Sequence, residues 1–175
     1  MTPELLSAAT GCTLRNAQLW SAPLTAAMAE FEIDSRYRQA AFLAQVGHES
    51  GSFVYVREIW GPTAAQLRYE GRVDLGNTIP GDGYLFRGRG LIQVTGRDNY
   101  RAVGAALGLP LLARPELLED PDNAARSAAW WWKAHGLNEL ADGQLFTAIT
   151  KRINGGLTGL PDRELRYRRA LEALG

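Results

Sequence analysis

Apolar residues recur at helical spacing over most of this chain, and the clearest run follows Asp34 and Ser35. Either side chain can accept the first free backbone N–H groups of a helix. The pattern therefore predicts a helix starting near Arg36, with Tyr37, Ala40, Ala41, Ala44, Val46 and Gly47 on its packing side. Gly51, the residue best able to take the left-handed conformation, should close it. Upstream, Thr2-Pro3 predicts a short helix ending near Gly11, and two further helical runs, Thr13 to Trp20 and Leu24 to Phe31, are separated by Ser21-Ala22-Pro23. These read as a packing platform for the central helix.

Beyond Trp60 the pattern predicts a helical segment from Thr63 to Tyr69. From Glu70 to Gly90, Gly71, Gly76, Gly81, Gly83, Gly88 and Pro80 prevent any regular period, which predicts a loop with room for a small hairpin. Gly90 to Thr95 is a short apolar run. Thr95-Gly96-Arg97-Asp98 reads as a capping box with Asp in place of Glu, opening a helix that stops at Gly108. Asp120-Pro121-Asp122 opens another, which carries Trp130, Trp131 and Trp132 and stops at Gly136. Further helices are predicted from about Asp142 to Asn154 and from Pro161 to Leu174. The predicted fold class is mainly α, built as two helical lobes around a glycine-rich loop.

Composition narrows the class. A length of 175 residues suits one domain with a real core, and 46% hydrophobic with 22% charged residues is an ordinary globular balance. Nineteen basic against nineteen acidic residues argue against a general nucleic-acid binder. The single cysteine, Cys12, has no partner for an internal disulfide. Glu4 follows the start almost at once, so no secretory signal peptide is expected, and no stretch approaches the roughly 18 apolar residues of a membrane span. The chain is expected to be made and held in a cytoplasm and to need another agent to reach any substrate outside it.

Candidate chemistry centres on Glu49, in the last turn of the predicted helix. Unpaired carbonyls there disfavour the ionised carboxylate, a setting that suits a general acid. An isolated glutamate at a helix end is ordinarily just solvated. A second carboxylate, Glu58, follows nine positions on through a turn and the apolar run Phe53 to Val56, read as an extended segment that brings Glu58 back across a cleft from Glu49, and paired carboxylates are the minimal apparatus of glycoside hydrolysis. Tyr84, Phe86, Arg87 and Arg89 equip the glycine-rich loop to contact sugars or simply to pin it to the core. Thr95 reads either as a helix cap or as a group that positions water. Arg166, Arg168 and Arg169 read most simply as a solvated face, with attraction to an anionic wall polymer as the other reading. His48-Glu49 begins like a zinc-protease motif, but position 52 is Ser and the only other histidine is His135, too few for the common zinc sites.

Taken in order, these motifs resemble the family 19 glycoside hydrolases, which comprise plant-type chitinases and a set of bacteriophage endolysins; the resemblance runs from about Phe42 to Arg169. Phe42 to Gly51 is similar to the helix-end motif whose glutamate is the general acid, placing that role on Glu49. Gly88-Arg89-Gly90-Leu91-Ile92-Gln93-Val94-Thr95 resembles the glycine-arginine-glycine motif before the substrate strand, where Thr95 would help hold the attacking water. Gln93, Asn99 and Tyr100 would line the sugar cleft, and His48 would line it or support a group that does. Asn154, in Ile153-Asn154-Gly155-Gly156, would face substrate, and Arg163 would pair with the catalytic carboxylates.

The resemblance implies a lysozyme-like fold and an inverting mechanism without metal or cofactor, with carboxyl groups roughly 6.5–9.5 Å apart to admit water. Glu58 would be the base, with Glu70, Asp74 and Asp82 as alternatives. The lack of the plant branch's disulfides, secretion signal and chitin-binding module points to the endolysin branch: a monomer cutting β-1,4 links of the peptidoglycan glycan strand and lysing a host cell. The alternatives are a chitinase and a wall-binding module without hydrolysis.

Overall fold

A computed structural model describes residues 1–175. It contains ten α-helices, two short 3-10 turns and no β-sheet: α1 (Pro3–Thr10), α2 (Leu14–Glu30), α3 (Arg36–Glu49), α4 (Ala64–Leu67), α5 (Asp82–Leu85), α6 (Arg97–Leu107), α7 (Pro121–Ala134), α8 (Leu137–Asp142), α9 (Phe146–Asn154) and α10 (Leu160–Leu174). The mainly helical fold class follows from the sequence pattern, and so do most element positions.

The helix starts follow their caps. Thr2, Thr13, Ser35 and Asp120 each accept a backbone N–H from the first turn of α1, α2, α3 and α7. In α3 every residue from Ala40 to Gly47 is buried, because α10, α1, α7 and α8 all pack against this one helix. The main core gathers 27 buried residues from α1, α2, α3, α7, α8, α9 and α10, whereas a second core of seven, among them Phe86, Tyr100, Val103 and Leu118, lies under the other lobe. The glycine-rich segment bridges the two.

Four local expectations change. Pro23 does not divide α2: the carbonyl it leaves unpaired belongs to Leu19 on the exposed side, and burial of Trp20, Leu24 and Met28 keeps the helix continuous. The helix predicted from Asp142 is two helices, because Asp142 ends α8 and Gly143-Gln144-Leu145 intervenes before α9, with Gln144 at φ +54°. Phe53 and Val54 lie in a turn rather than an extended run, with both Val54 N–H and Tyr55 N–H donated to Ser50 O. Thr95 does not cap α6. Gly96 holds that position at φ +93°, and a Cβ there would come within 2.8 Å of Leu75 O, so the backbone approach itself requires glycine.

Candidate active site

Helix α3 delivers Glu49 to the surface at its C-terminal turn, where the side chain is one quarter exposed. The turn that follows reverses the chain at once: Gly51, Ser52 and Phe53 all have left-handed φ near +60°, held by the Ser50 hydroxyl, which donates to Val46 O and accepts Phe53 N–H. Arg163 of α10 reaches across from beneath. Its guanidinium, 2% exposed, donates from Nη2 to Glu49 Oε1 at 2.5 Å, from Nη1 to Gln45 Oε1 and from Nε to Thr158 O. Gln45 is itself fixed by donating to Thr150 Oγ1 at 2.8 Å. A chain of side chains, Thr150–Gln45–Arg163, therefore sets the position of Glu49 from inside the core.

His48, the neighbouring residue, joins its Nδ1 to Asp162 Oδ2 at 2.6 Å, and its ring sits so close to Gly159 that a Cβ there would lie 2.5 Å from it. Asp162 also accepts from Arg166 Nε at 2.7 Å. Burial opposes ionisation of its carboxyl, but hydrogen bonds from Arg166 and His48 outweigh burial and hold its pKa below the usual carboxylate range. Arg166 is no free surface cation either, since it also donates to Thr10 O and Ser52 Oγ; Arg168 and Arg169 remain exposed.

Glu58 is held in another way. Its backbone N–H donates to Gly88 O at 2.8 Å. Its carboxylate accepts from Gly88 N–H at 3.1 Å, from Gln66 Nε2 at 3.0 Å and from Tyr69 Oη at 3.4 Å. An ionised carboxylate has about four acceptor positions, so one on Oε2 stays open. The three alternative bases are each committed elsewhere. Asp82 is buried, accepts two bonds from Arg97 and one from Ile79 N–H; Glu70 accepts the N–H groups of Gly81 and Gly83; Asp74 is exposed and paired with Arg72. Sequence reading missed Gln66 and Tyr69 as partners of Glu58. The signal for Gln66 was present in Thr63-x-x-Gln66, which forms the capping box of α4.

The segment after Gly88 folds into a tight turn. Arg89 and Val94 exchange backbone hydrogen bonds, Gln93 sits at φ +56°, and Thr95 Oγ1 donates to Gln93 O at 2.9 Å. A groove of about 430 Å³ opens here, lined by Gln93, Thr95 and Asn99 on one side and by Trp130, Trp131, His135 and Ile153 on the other. Trp131 and His135 stack with centroids 3.8 Å apart. Neither Glu49 nor Glu58 lines this groove. The link is Gly88, whose N–H holds Glu58 and whose α-carbon faces Gln93 Oε1, 2.7 Å from where a Cβ would be.

One residue expected at the cleft is elsewhere. Tyr100 is fully buried, accepts from Arg89, donates to Arg87 O at 2.7 Å, and has its pKa pushed up to about 12 by desolvation against the lowering effect of Arg89; it is a core residue of the smaller lobe. Phe86 and Arg89 are likewise internal. Asn154 is exposed at the last position of α9, next to Ile153 of the groove.

A helical, two-lobed chain with its acidic side chains at the junction of the lobes has the lysozyme-like architecture. The comparisons make this specific. The sequence model of a glycoside hydrolase family described as chitinase class I matches residues 21–147. A Haemophilus influenzae protein described as containing a glycosyl hydrolase family 19 domain is 35% identical over 162 residues, which is 77% of this chain and 78% of that protein. An endochitinase of Arabidopsis thaliana is 44% identical over 118 residues, 67% of this chain but only 39% of the plant enzyme, so this chain spans less than half of that relative. The solved structure of a bacterial family 19 chitinase superimposes with a TM-score of 0.79 at 25% identity, covering 99% of this chain and 94% of that one. The chain belongs to glycoside hydrolase family 19.

Proposed function

We propose that this chain hydrolyses β-1,4 links between N-acetylated amino sugars, with chitin-type polymers of N-acetylglucosamine as substrate, and that residues 1–175 act as one monomeric catalytic unit. The observation that carries the reading is the contrast between the two carboxyls: Glu49 is partly exposed at a helix end with Arg163 as its one side-chain partner, and Glu58 is oriented by three donors with one acceptor position left open. Glu49 gives its proton to the glycosidic oxygen, and Arg163 stabilises the carboxylate that remains. Glu58 takes a proton from water. The Thr95 hydroxyl, its own hydrogen committed to Gln93 O, offers lone pairs to the same water. The groove beside Gln93, Thr95 and Asn99 is apolar with few polar groups, the usual character of a ligand site, and the Trp131–His135 stack gives it a flat wall.

The chitin reading draws more support from the relatives than the peptidoglycan reading does, since both the plant enzyme and the bacterial structure are described as chitinases. The peptidoglycan reading, with its endolysin role and release from a cytoplasm to the wall, rests on the single cysteine, which leaves no internal disulfide of the plant branch. One experiment addresses both. The protein is incubated with N-acetylglucosamine hexamer and, separately, with purified peptidoglycan, and the products are followed by anomer-resolving chromatography and mass spectrometry. Fresh products with the α-anomeric end from the hexamer are expected. Product retaining the β configuration would overturn the inverting assignment, cleavage confined to peptidoglycan would overturn the chitin reading, and no cleavage of either would overturn both.

A further inference from the structure

Arg87 is the cation of the glycine-rich segment that the site described so far leaves unexplained. It is 8% exposed, yet it donates a single hydrogen bond, from Nη1 to Tyr84 O at 2.9 Å, and no carboxylate pairs with it. Its guanidinium lies 4.1 Å from the centroid of the Tyr84 ring. Desolvation, together with the charge of Arg89, holds its pKa below the ordinary arginine value. A poorly solvated guanidinium with four N–H groups unused is costly unless something answers its charge.

The surroundings add charge of the same sign. Arg57 and Arg89 face each other across an isolated antiparallel bridge flanked by the bonds Glu58 N–H to Gly88 O and Gly90 N–H to Val56 O. That makes them a non-hydrogen-bonded pair, the kind whose side chains lie closest, where like charges repel. Both turn to Glu119: Arg89 at 2.8 Å and Arg57 at 3.3 Å. Arg89 bonds Leu85 O and Tyr100 Oη as well, so three of its five N–H groups are engaged. Arg57 and Arg89 thus share the Glu119 carboxylate and Arg87 has none, which leaves excess positive charge at Arg87 and at Arg57, the latter more than half exposed. The aromatic wall beside them leads back to the chemistry. Tyr84, itself exposed, meets Trp60 edge-on at 5.3 Å, Trp60 leans on Tyr69 at 6.2 Å, and Tyr69 bonds Glu58.

We propose that Arg57 and Arg87, with the exposed ring of Tyr84, form a subsite at the Glu58 end of the glycan path that takes the carboxylate of an acidic sugar unit. Two guanidiniums suit a planar carboxylate, and a ring beside them suits a pyranose face. The inference goes beyond the proposed function, whose N-acetylglucosamine polymers carry no carboxylate, and rests on it only for the glycan nature of the ligand.

The test is calorimetric titration of the whole protein at low ionic strength with two disaccharides: N-acetylglucosaminyl-N-acetylmuramic acid, which carries a carboxylate, and neutral diacetylchitobiose. The acidic disaccharide should bind about tenfold tighter, and the margin should shrink in high salt. Arg57→Gln should cut the margin several-fold, Arg57→Lys should retain most of it, and Arg57→Gln with Arg87→Gln should abolish it. Equal affinity for the two disaccharides in the wild type, or an undiminished margin in a folded Arg57→Gln variant, overturns the subsite; the second outcome needs only the exposed residue, so it decides the matter even where Arg87→Gln fails to fold. A protein that prefers the acidic disaccharide but cleaves no glycan sinks the proposed function and leaves the subsite standing. Hydrolysis of chitin oligomers with no acidic preference does the reverse.

Discussion

Glu49 and Glu58 are nine residues apart and are held by opposite means. Glu49 ends a helix with eight consecutive buried residues, so its backbone is positioned by apolar packing from four sides. Glu58 lies on a ribbon with only isolated bridges, where position is set by individual polar bonds: Gly88, Gln66 and Tyr69 on Glu58 itself, Arg97 on Asp82, the N–H groups of Gly81 and Gly83 on Glu70, and Arg89 on Tyr100. Apolar packing is non-directional and shared among many contacts, so it tolerates change at any one of them. A polar pin is directional and singular, and removing one partner leaves the other unsatisfied. The two carboxyls are thus carried by one wall packed from many sides and one assembled bond by bond.

The sharpest way to test that contrast is Glu49→Gln, which keeps the shape and one acceptor for Arg163 but removes the proton. Turnover of the N-acetylglucosamine hexamer should fall by about 10³-fold or more while the far-ultraviolet circular dichroism is unchanged. Near wild-type turnover would reduce Glu49 to a counter-ion for Arg163. Next in size is Glu58→Gln, expected to lower kcat by about 10²-fold. The new amide must also place a donor against Gly88 N–H, Gln66 or Tyr69, so hydrogen exchange should quicken across residues 57–97 and not in α3. Full activity would move the base off the ribbon.

Asp82→Asn breaks a buried ion pair and should lower unfolding stability by about 2–4 kcal/mol in denaturant titration. The wild type should show the same pair in its acid limb. Arg97 bonding outweighs burial and holds the Asp82 carboxyl below its ordinary value. The stability it adds is therefore complete above the unfolded-state pKa near 4 and is lost as pH falls through the lower folded value. Melting temperature should drop more steeply below about pH 4 in the wild type than in Asp82→Asn; parallel curves would show that the pin does not couple to the fold. The smallest change, Gln66→Ala, removes the capping box of α4 together with one donor to Glu58. It should cost about 1 kcal/mol of stability and reduce kcat several-fold with little change in KM. No kinetic change would mean that Tyr69 and Gly88 suffice.

Much of the main core could be read directly. The run after Ser35, the cap at Asp120, the stop at Gly51 and the close of α9 at Gly155 all lie where spacing and caps put them, because each depends on neighbours within one or two turns. Local rules failed where a distant contact overruled them. Pro23 is tolerated since the far side of α2 is buried, and Thr95 lost the capping position to Gly96 since Leu75, some twenty residues earlier, lies against the backbone there. Tyr100 sits next to Asn99 in sequence, but helical geometry turns one to the core and the other to the groove. The pairing of Arg163 with Glu49 was expected from the motif; nothing local indicated Gln45 as a partner of Arg163 or Tyr69 as a partner of Glu58.

The amino-acid order by itself determined that the chain would be mainly helical, where most helices begin and end, and which acidic side chains fall at the close of the central helix and just after it. Caps, periods and breakers act over a few residues and are written in the order of residues. Only the tertiary structure decided which carboxylates stay open and which are tied off, because the partners of Glu49, Glu58 and Asp82 are separated from them by up to 114 positions in the chain. A guanidinium from α10 reaching a helix end in the first third of the chain is a product of packing, and no local pattern encodes it.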